Sequence, residues 1–414
     1  MMPGFTKARE TASFAAAATR VMMSSLKDGS SPSRAFRPSM YPTELVQNRI
    51  GSLADSSARW LRPLALIVVA TLLGPIAAAA APYQIGVYYF PGWKDHQEGA
   101  TFDLPWDRIK PYPDREPLLG WYAEGDDKVM QQQIDWMADY GIKYVVFDWY
   151  FGASRSVFLE HALNAFRRAP NRTRLQYAIL WANHDRMPSS LEDWNAMIRY
   201  WAQNYFRDEN FLRIDGKPTV FVFSADLLKN QAESFGQTTK TLLDRAQAIA
   251  QAEGLAGVYF IAGTGADEPM ISSYAKASGY DAFSAYNYHS GPDGNDRLSH
   301  SFDELDQDYR DQWNRFAARG NLPLIVPLTS GWDRRPWGAS GDPAHDLSRS
   351  TPASFQNHLL AARTFIDAHR DLTRGMAVIC CWNEYGEGSF IEPTKSERFV
   401  FLEQIRSVFG ATEK

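Results

Sequence analysis

Two glutamates, Glu384 and Glu387, stand three residues apart in the stretch Trp-Asn-Glu-Tyr-Gly-Glu-Gly at positions 382–388. Two carboxyl groups beside one bond can act on it as acid and base, and glycosidic cleavage uses such a pair. If this stretch turns helically, side chains at i and i+3 lie on one face, about 5 to 6 Å apart at Cβ. Repulsion between them would raise the pKa of one, as a proton donor requires. The alternative is a solvated acidic turn.

Eight short apolar segments, separated by amphipathic helical patterns, would have to position this pair. Their lengths and composition are typical of β-strands. They cover residues 83–90, 144–149, 175–181, 218–223, 257–262, 281–286, 323–328 and 376–382. Strands that are apolar throughout and alternate with helices indicate a parallel sheet buried on both faces. Eight such units predict an α/β fold, a single (β/α)8 TIM barrel, over residues 82–414.

The competing fold is an open, doubly wound sheet, whose first strand is followed by a Gly-rich turn. Here Phe90 is followed by Pro-Gly-Trp, and no linker or internal repeat divides the chain. We therefore expect one catalytic domain. Helices are expected at residues 126–140, 157–168, 191–205, 238–253, 268–277, 302–319, 352–369 and 396–408.

In such a barrel the chemistry lies at the carboxyl ends of the strands. Glu384 and Glu387 follow the last strand and are the predicted catalytic residues. Aromatic rings, amides and carboxylates at the other strand ends suit a sugar, whose faces stack on rings and whose hydroxyls need polar partners. The predicted substrate-binding residues are Tyr89, Trp93, Asp148, Tyr150, Trp181, Asn183, His184, Tyr286, Tyr288, Trp332, Trp382 and Asn383.

Several polar positions admit two interpretations. Asp148 either contacts substrate or satisfies loop amides. His184 and His289 lack the spacing of metal ligands, so we expect no metal and no cofactor. Residues 293–296, Asp-Gly-Asn-Asp, lack the rest of a calcium loop and predict a turn. Residues 333–335, Asp-Arg-Arg, either hold loop carboxylates or bind an acidic sugar.

The charge balance excludes one class of partner. The 414 residues carry 43 Lys and Arg against 48 Asp and Glu, with no basic block. Nucleic-acid binding needs a concentrated positive surface, so no nucleic-acid partner is expected. A carbohydrate substrate is the expected partner.

Residues 1–81 are predicted to be an N-terminal extension and secretion signal. Arg59 and Arg62 precede an apolar run and then small residues up to Ala81, which is the order of zones in a secretory signal. An uncleaved anchor is the alternative, but the Ala-rich end is weak for a bilayer span. We expect export to the periplasm or the exterior, with no stable membrane span after cleavage.

The only two cysteines, Cys380 and Cys381, are adjacent. Neighbouring residues do not comfortably meet the usual Cα separation of a disulfide. No structural disulfide framework is therefore expected, and packing of the core must hold the fold.

The segment around the two glutamates resembles the signature of glycoside hydrolase family 99, the endo-acting α-mannosidases and mannanases, and of its family 99-like relatives. Further similar segments follow in the same order, so that the resemblance covers about residues 83–394. The segments that carry it are 88–89, 119–122, 141–150, 286–289, 331–337, 383–384, 387–388 and 391–393.

This resemblance implies metal-independent, retaining hydrolysis of α-linked sugars. By position, Glu384 matches the residue that deprotonates the sugar 2-hydroxyl, giving a 1,2-anhydro sugar, and Glu387 matches the general acid/base. Tyr288 matches a tyrosine close to the reacting sugar. The chain departs from the family at residues 385–386, Tyr-Gly in place of a usual Trp-His pair, and at residues 181–184. The resemblance therefore leaves the sugar open.

The sequence thus predicts a glycosidase acting on an α-linked glycan, either a mannan or a bacterial surface polysaccharide. A second hypothesis is a glycosyltransferase or transglycosylase of polysaccharide assembly, because the same carboxylates can pass a sugar to an acceptor other than water. A third is a non-catalytic carbohydrate-binding barrel that keeps the aromatic rim, and the intact glutamate pair speaks against it.

Overall fold

The computed structural model describes residues 82–93, 105–184, 187–289 and 298–410. The predicted extension and signal at residues 1–81 and the turn expected at residues 293–296 lie outside the described residues. Within the described ranges, no helix combines the length and the apolar character that crossing a bilayer requires.

Eight parallel strands form the centre of the fold, and each pairs with its neighbours along the chain. The strands are β1 (Gln84–Tyr89), β2 (Tyr144–Phe151), β3 (Gln176–Trp181), β4 (Lys217–Val222), β5 (Tyr259–Gly263), β6 (Ala282–Ser284), β7 (Val326–Thr329) and β8 (Met376–Cys380). Strand β1 also pairs with β8. Between β6 and β7, the Phe283 amide donates to Pro323 O at 2.8 Å and the Ile325 amide to Phe283 O at 2.9 Å. These bonds close the ring, and the predicted (β/α)8 barrel is confirmed.

Side chains along each strand alternate between the barrel interior and the surrounding helices. In β2, Val145 and Phe147 pack in the layer between strand and helix, whereas Val146 packs in the interior with Leu180 and Ile261. Because both faces are buried, the strands are apolar throughout. This is the physical origin of the continuous apolar segments in the sequence.

Helices surround the barrel, and most begin at a side chain that caps the first turn. Asp126, Ser190, Ser301 and Thr351 each accept a hydrogen bond from backbone amides of the helix that follows. The helices are α1 (Pro105–Ile109), α2 (Asp127–Asp139), α3 (His161–Arg168), α4 (Leu191–Asn204), α5 (Ala225–Ser234), α6 (Thr239–Ala252), α7 (Ala275–Ser278), α8 (Phe302–Arg319), α9 (Pro352–Ala368), α10 (Arg370–Thr373) and α11 (Val400–Phe409).

The helices differ from the sequence-based expectation in three places. The helix expected at residues 157–168 begins only at His161, because Val157–Phe158 pairs antiparallel with the end of β2. The helix expected at residues 268–277 is divided into a π-helical turn, Met270–Tyr274, and α7. Helices α1, α5 and α10 are not predicted from the sequence.

Cys380 and Cys381, at the end of β8, are fully buried in the barrel interior and joined by a disulfide. The peptide bond between them is cis. The sequence analysis expects such neighbours to meet disulfide geometry only uncomfortably and to provide no structural framework. Because its partners are adjacent in sequence, the bridge cross-links no separate elements, and packing of the core still holds the fold.

Strand β1 approaches β2 so closely that one position admits only glycine. A Cβ placed on Gly86 would fall inside the ring of Tyr144, which is fully buried and donates through its hydroxyl to Ala377 O at 2.8 Å. Neither the ring nor the strand can move without disturbing the core on both sides.

We expect Gly86→Ala to destabilise the barrel by about 2 to 3 kcal/mol, since overpacking of a core typically costs this much. The measurement is the midpoint of thermal unfolding of the purified protein. Gly341→Ala is the matched control, because an added Cβ there meets no atom within 4 Å. Equal midpoints for the two variants would contradict the close approach of β1 and β2.

Candidate active site

Glu384 and Glu387 lie on a short hairpin that follows β8. Asn383–Glu384 pairs antiparallel with Ser389–Phe390, and the Glu387 amide donates to Glu384 O at 3.3 Å. The expected helical turn is therefore a hairpin turn, which also brings residues i and i+3 together. The two glutamates are buried, with 4% and 7% of their surface exposed. The alternative of a solvated acidic turn is thus wrong for this segment.

A third carboxyl group faces the pair from β2. Asp148 is buried, and its Oδ2 accepts a hydrogen bond from the Tyr286 hydroxyl at 3.1 Å. The same hydroxyl lies 3.5 Å from Glu384 Oε2, so Tyr286 stands between the two acids. The other oxygen of Asp148, Oδ1, is sealed from solvent and has no hydrogen-bond partner in the described part of the chain.

Burial and mutual repulsion raise the pKa of each of these acids. Burial, then the charges of Glu387 and Asp148, hold the pKa of Glu384 well above its usual value, while hydrogen bonds from Trp337 and Tyr286 oppose the rise. Burial raises the pKa of Glu387 to about 7, and the positive charge of Arg334 opposes that rise. Near neutral pH the pair therefore shares protons, so that one carboxyl can donate a proton while the other accepts one.

Aromatic side chains form one wall of the site. Burial, then the charges of Asp148, Glu384 and Glu387, raise the pKa of Tyr150. The ring of His184 packs at 5.9 Å from that of Tyr150. Burial lowers the pKa of His184 to about 4, so this imidazole is uncharged at neutral pH. The predicted residues Asp148, Tyr150, His184 and Tyr286 are thus brought together with the glutamates.

A second wall lies on the side of β7. The rings of His289 and Trp332 stack with their centroids 4.4 Å apart. Burial, then the charges of His345 and Arg334, lower the pKa of His289 to about 4. Trp332 is buried, with 4% of its surface exposed, so it supports the half-buried, uncharged His289 ring and does not itself face the cleft.

Asn383 and Trp93 hold the hairpin in place. The Asn383 amide bonds both backbone groups of Phe90 and also donates to Glu124 Oε1 at 2.9 Å. The Trp93 indole donates to Asn383 O at 2.8 Å, and Trp93 is fully buried. Both residues tie the end of β8 to the end of β1. This positioning role corrects the expectation that they contact substrate.

Asp333 holds the opposite side of the hairpin. Its amide donates to Glu387 O at 2.7 Å. Its carboxylate forms ion pairs with Arg115 and Arg335, and Arg115 also donates to Tyr385 O at 2.6 Å. Burial raises the pKa of Asp333, but these two arginines lower it by more, so that its pKa lies below its usual value. Asp333 is therefore a structural anion, in agreement with the interpretation that basic side chains here hold a loop carboxylate.

Gly386 makes room for Trp337. A Cβ at Gly386 would overlap the Trp337 indole, whose ring lies nearly parallel to that of Trp93 with centroids 6.0 Å apart. The Tyr-Gly departure from the family signature thus gives Trp337 access to Glu384. Sequence reasoning did not select Trp337 as a site residue, and it treated Arg334 only as part of residues 333–335, which either hold loop carboxylates or bind an acidic sugar. Both lie in the segment 331–337 that carries part of the resemblance.

Several predicted binding residues do not face the glutamates. Tyr89, Trp181 and Trp382 are fully buried in the layer between strands and helices. The ring of Trp181 packs against Trp194 on α4, with centroids 5.6 Å apart. A ring enclosed in this way cannot stack on a sugar, so these three assignments are corrected to core residues.

Two further predicted residues bond to the scaffold. The Asn183 side chain exchanges two hydrogen bonds with the backbone of Ser224 and so joins the ends of β3 and β4. The Tyr288 hydroxyl donates to Thr264 O at 3.1 Å. The tyrosine hydroxyl observed next to the acids is that of Tyr286.

No group of three or more His, Cys, Asp or Glu side chains could hold a metal ion within the ranges that the structure describes. The chemistry available at this site is that of the carboxyl groups, the tyrosine hydroxyls and the nearby guanidinium.

The sequence matches the family described as "Glycosyltransferase WbsX" over residues 111–405. No curated protein matches it significantly. Among solved structures, a "glycoside hydrolase-like protein" aligns with a TM-score of 0.59 at 15% identity, covering 82% of this chain and 98% of that one. The GH99 endo-alpha-mannosidase of Bacteroides thetaiotaomicron, in complex with bis-tris-propane, aligns with a TM-score of 0.56 at 14% identity, covering 78% and 96%. The expected family 99-like barrel is therefore confirmed at the level of the fold.

A buried acid outside the site tests how the scaffold responds to pH. Glu392 accepts hydrogen bonds from Tyr122, Gln133 and Tyr385, and burial raises its pKa to about 7. The pKa of Glu392 is thus higher in the folded protein than in the unfolded chain. Protonation of Glu392 therefore stabilises the fold, fully below pH 4.5, and this contribution is lost as the pH rises through 7.

The unfolding free energy of the native protein should therefore decrease between pH 4.5 and 7.5. We expect this decrease to be smaller in Glu392→Gln, by up to about 3 kcal/mol. Denaturant unfolding at a series of pH values measures this difference. The exposed Glu233, changed to Gln, is the control and should leave the slope as it is. A slope that Glu392→Gln leaves unchanged would show that Glu392 is ionised in the folded protein.

Proposed function

We propose that this chain, which belongs to the glycosyltransferase WbsX family, is a carbohydrate-active enzyme. It cleaves an α-linked glycan with retention of configuration. The shared barrel of the glycoside hydrolase-like structures supports this proposal. The resemblance of the hairpin segment to the family 99 signature supports α-linkage and retention.

One observation carries the proposal: Glu384 and Glu387 are buried together at the end of β8, with the pKa of each raised. A glutamate that is protonated near neutral pH can protonate a leaving oxygen. Tyr286 adds a hydroxyl beside the pair, and Asp148 adds a third buried carboxyl group. The Tyr286 hydroxyl is a natural partner for a sugar hydroxyl.

Glu387 is assigned as the general acid and Glu384 as the base. Glu384 takes the proton of the sugar 2-hydroxyl, and O2 bonds to C1 as the bond from C1 to the leaving oxygen breaks. That oxygen takes the proton of Glu387. Water then opens the 1,2-anhydro sugar at C1, giving its proton to Glu387, while O2 regains the proton from Glu384. Two inversions at C1 leave the configuration retained.

The division of roles follows the position of each glutamate in the family 99-like signature. Burial is the leading influence on the pKa of both groups and favours the protonated form of each. Hydrogen bonds from Tyr286 and Trp337 oppose this rise at Glu384, and the charge of Arg334 opposes it at Glu387.

Transfer to an acceptor is the second candidate, because the family to which the chain belongs is described as a glycosyltransferase family. The hydroxyl of another sugar can open the same intermediate in place of water. Product sizing with and without added acceptor oligosaccharides separates the two. Turnover that requires a nucleotide-activated donor would contradict both schemes, since neither uses one.

We further propose that the enzyme is exported and meets its glycan outside the cytoplasm. The order of charged, apolar and small residues up to Ala81 supports this. No nucleic-acid partner is proposed, in keeping with the balanced charge.

The division of roles predicts opposite responses to a good leaving group. Acid assistance is worth about 100- to 10,000-fold with a poor leaving group, and fluoride needs little of it. Glu387→Gln should lose cleavage of the natural glycan yet release fluoride rapidly from the matching α-glycosyl fluoride. Glu384→Gln should be slow on both, because a better leaving group does not replace the base.

The measurement is pre-steady-state fluoride release, so that slow breakdown of the intermediate does not hide the first step. If Glu384→Gln, and not Glu387→Gln, releases fluoride rapidly from the glycosyl fluoride, the two roles are exchanged. Near-normal glycan cleavage by both variants would rule out the pair.

The pH profile provides an independent prediction. Glu387 must be protonated to donate, so kcat/KM on the glycan should fall as the pH rises through about 7. On the glycosyl fluoride, Glu387→Gln should lack this alkaline decrease. Glu392→Gln is a matched control, because burial raises the pKa of Glu392 to about 7 as well. An alkaline decrease that disappears in Glu392→Gln would assign it to the scaffold instead.

A further inference from the structure

Arg334 lies in the loop after β7 that covers the two glutamates, and only 7% of its surface is exposed. Its Nη1 donates to Ala339 O at 3.3 Å. Within the ranges described, its guanidinium forms no ion pair with a carboxylate. A cation buried without a counter-charge is unfavourable, which makes its placement beside a substrate cleft informative.

Two carboxylates of the loop around Arg334 are committed to other groups. Asp333 pairs with Arg115 and Arg335. Asp346 accepts the backbone amide of Arg334 at 2.9 Å together with two hydrogen bonds from Ser340. The loop thus fixes the backbone of Arg334 with an acid while leaving its guanidinium without one.

The remaining nitrogens of this guanidinium are open to a ligand. Nε and Nη2 of Arg334 have no hydrogen-bond partner in the described chain, and neither belongs to the buried polar atoms that are sealed from solvent. These two nitrogens form one edge of the guanidinium. That edge matches the two oxygens of a carboxylate through two parallel hydrogen bonds.

The charge of Arg334 acts on both the proposed acid/base and the second wall. Its charge opposes the burial-driven rise in the pKa of Glu387 and adds to the burial-driven fall in the pKa of His289. His289 is uncharged at neutral pH and stacks on Trp332. Arg334 therefore brings a positive charge to a side of the cleft where the two rings bring none.

We propose that Arg334 binds a carboxylate carried by the glycan, so that the substrate of this site is a polysaccharide containing uronic acid. The inference rests on the proposed function, because it assigns the substrate class of the same cleft. The half-buried His289 ring, which is stacked on Trp332, offers an uncharged face for the sugar ring that bears the carboxylate.

The test compares a polysaccharide rich in uronic acid with the same polysaccharide after its carboxyl groups are reduced to primary alcohols. Native protein should prefer the acidic form. Arg334→Gln should reduce the ratio of kcat/KM for the acidic form to that for the reduced form by about 10- to 100-fold, the range for a hydrogen bond to a charged group. Arg334→Lys keeps the positive charge but cannot form two parallel hydrogen bonds to a carboxylate. Its ratio should therefore lie between those of the native protein and Arg334→Gln.

The ratio cancels any effect that Arg334 exerts on both substrates through Glu387. An equal loss on both forms would therefore overturn the proposal and leave Arg334 as a residue that only adjusts Glu387. A preference that survives carboxyl reduction would also overturn it, since it would point to a sulfate or phosphodiester. Arg199→Gln, at an exposed position on α4, controls for overall charge and should keep the native ratio. Thermal unfolding of each variant identifies any that fail to fold.

Binding separates this inference from the proposed reaction. Ligand-observed NMR with D-glucuronate, D-galacturonate and D-mannuronate, each beside its neutral parent sugar, requires no turnover. Uronate binding that Arg334→Gln abolishes, in a protein that cleaves no glycan, would support Arg334 while the proposed reaction fails. Uronates that bind no better than their neutral parents, in a protein that cleaves neutral glycans, would overturn the inference and leave the reaction standing.

Discussion

Mutual repulsion among three buried carboxyl groups is the constraint on which the arrangement of the cleft depends. Asp148 reaches the site from β2, and Glu384 and Glu387 reach it from the hairpin after β8. Burial removes the water that would screen their charges. The structure offsets this cost through protonation of the pair, through the Tyr286 hydroxyl between two of the acids, and through the charge of Arg334 near the third. A closed barrel can gather such groups because its strand ends meet at one rim.

Other buried acids of the same region show how the fold treats a structural carboxylate. Glu392 receives three side-chain donors, and Asp333 receives two arginines and a backbone amide. Asp148, by contrast, keeps one oxygen without a partner in the described residues. The same contrast holds among the cations, since Arg115 and Arg335 are paired and Arg334 is not. Saturated groups hold the loops, whereas Asp148 and Arg334 keep polar atoms that the described residues do not satisfy.

Much of the fold was predictable because its signals are local. Strands buried on both faces need continuous apolar segments, and the capped helices α2, α4, α5, α6, α8 and α9 follow Ser, Thr or Asp. The hairpin was harder, since an i, i+3 pair of glutamates suits either a helical turn or a hairpin turn. Its form depends on Asn383 bonded to Phe90 and on the Asp333 amide bonded to Glu387 O, contacts between residues far apart in the chain. Trp181 was assigned to the wrong face because a strand end in a barrel has two buried sides, one toward the helices and one toward the site.

The sequence by itself determined the barrel, the family likeness and the candidate glutamate pair, because each rests on a pattern contained in a short stretch of chain or on the order of such stretches. Only the tertiary structure decided which other side chains reach that pair. It places the hydroxyl of Tyr286, rather than that of Tyr288, between two acids, and it leaves Arg334, rather than Arg335, without a carboxylate. The physical reason is that side-chain direction and the competition of several cations for a few carboxylates are settled between distant segments, where no local pattern records the outcome.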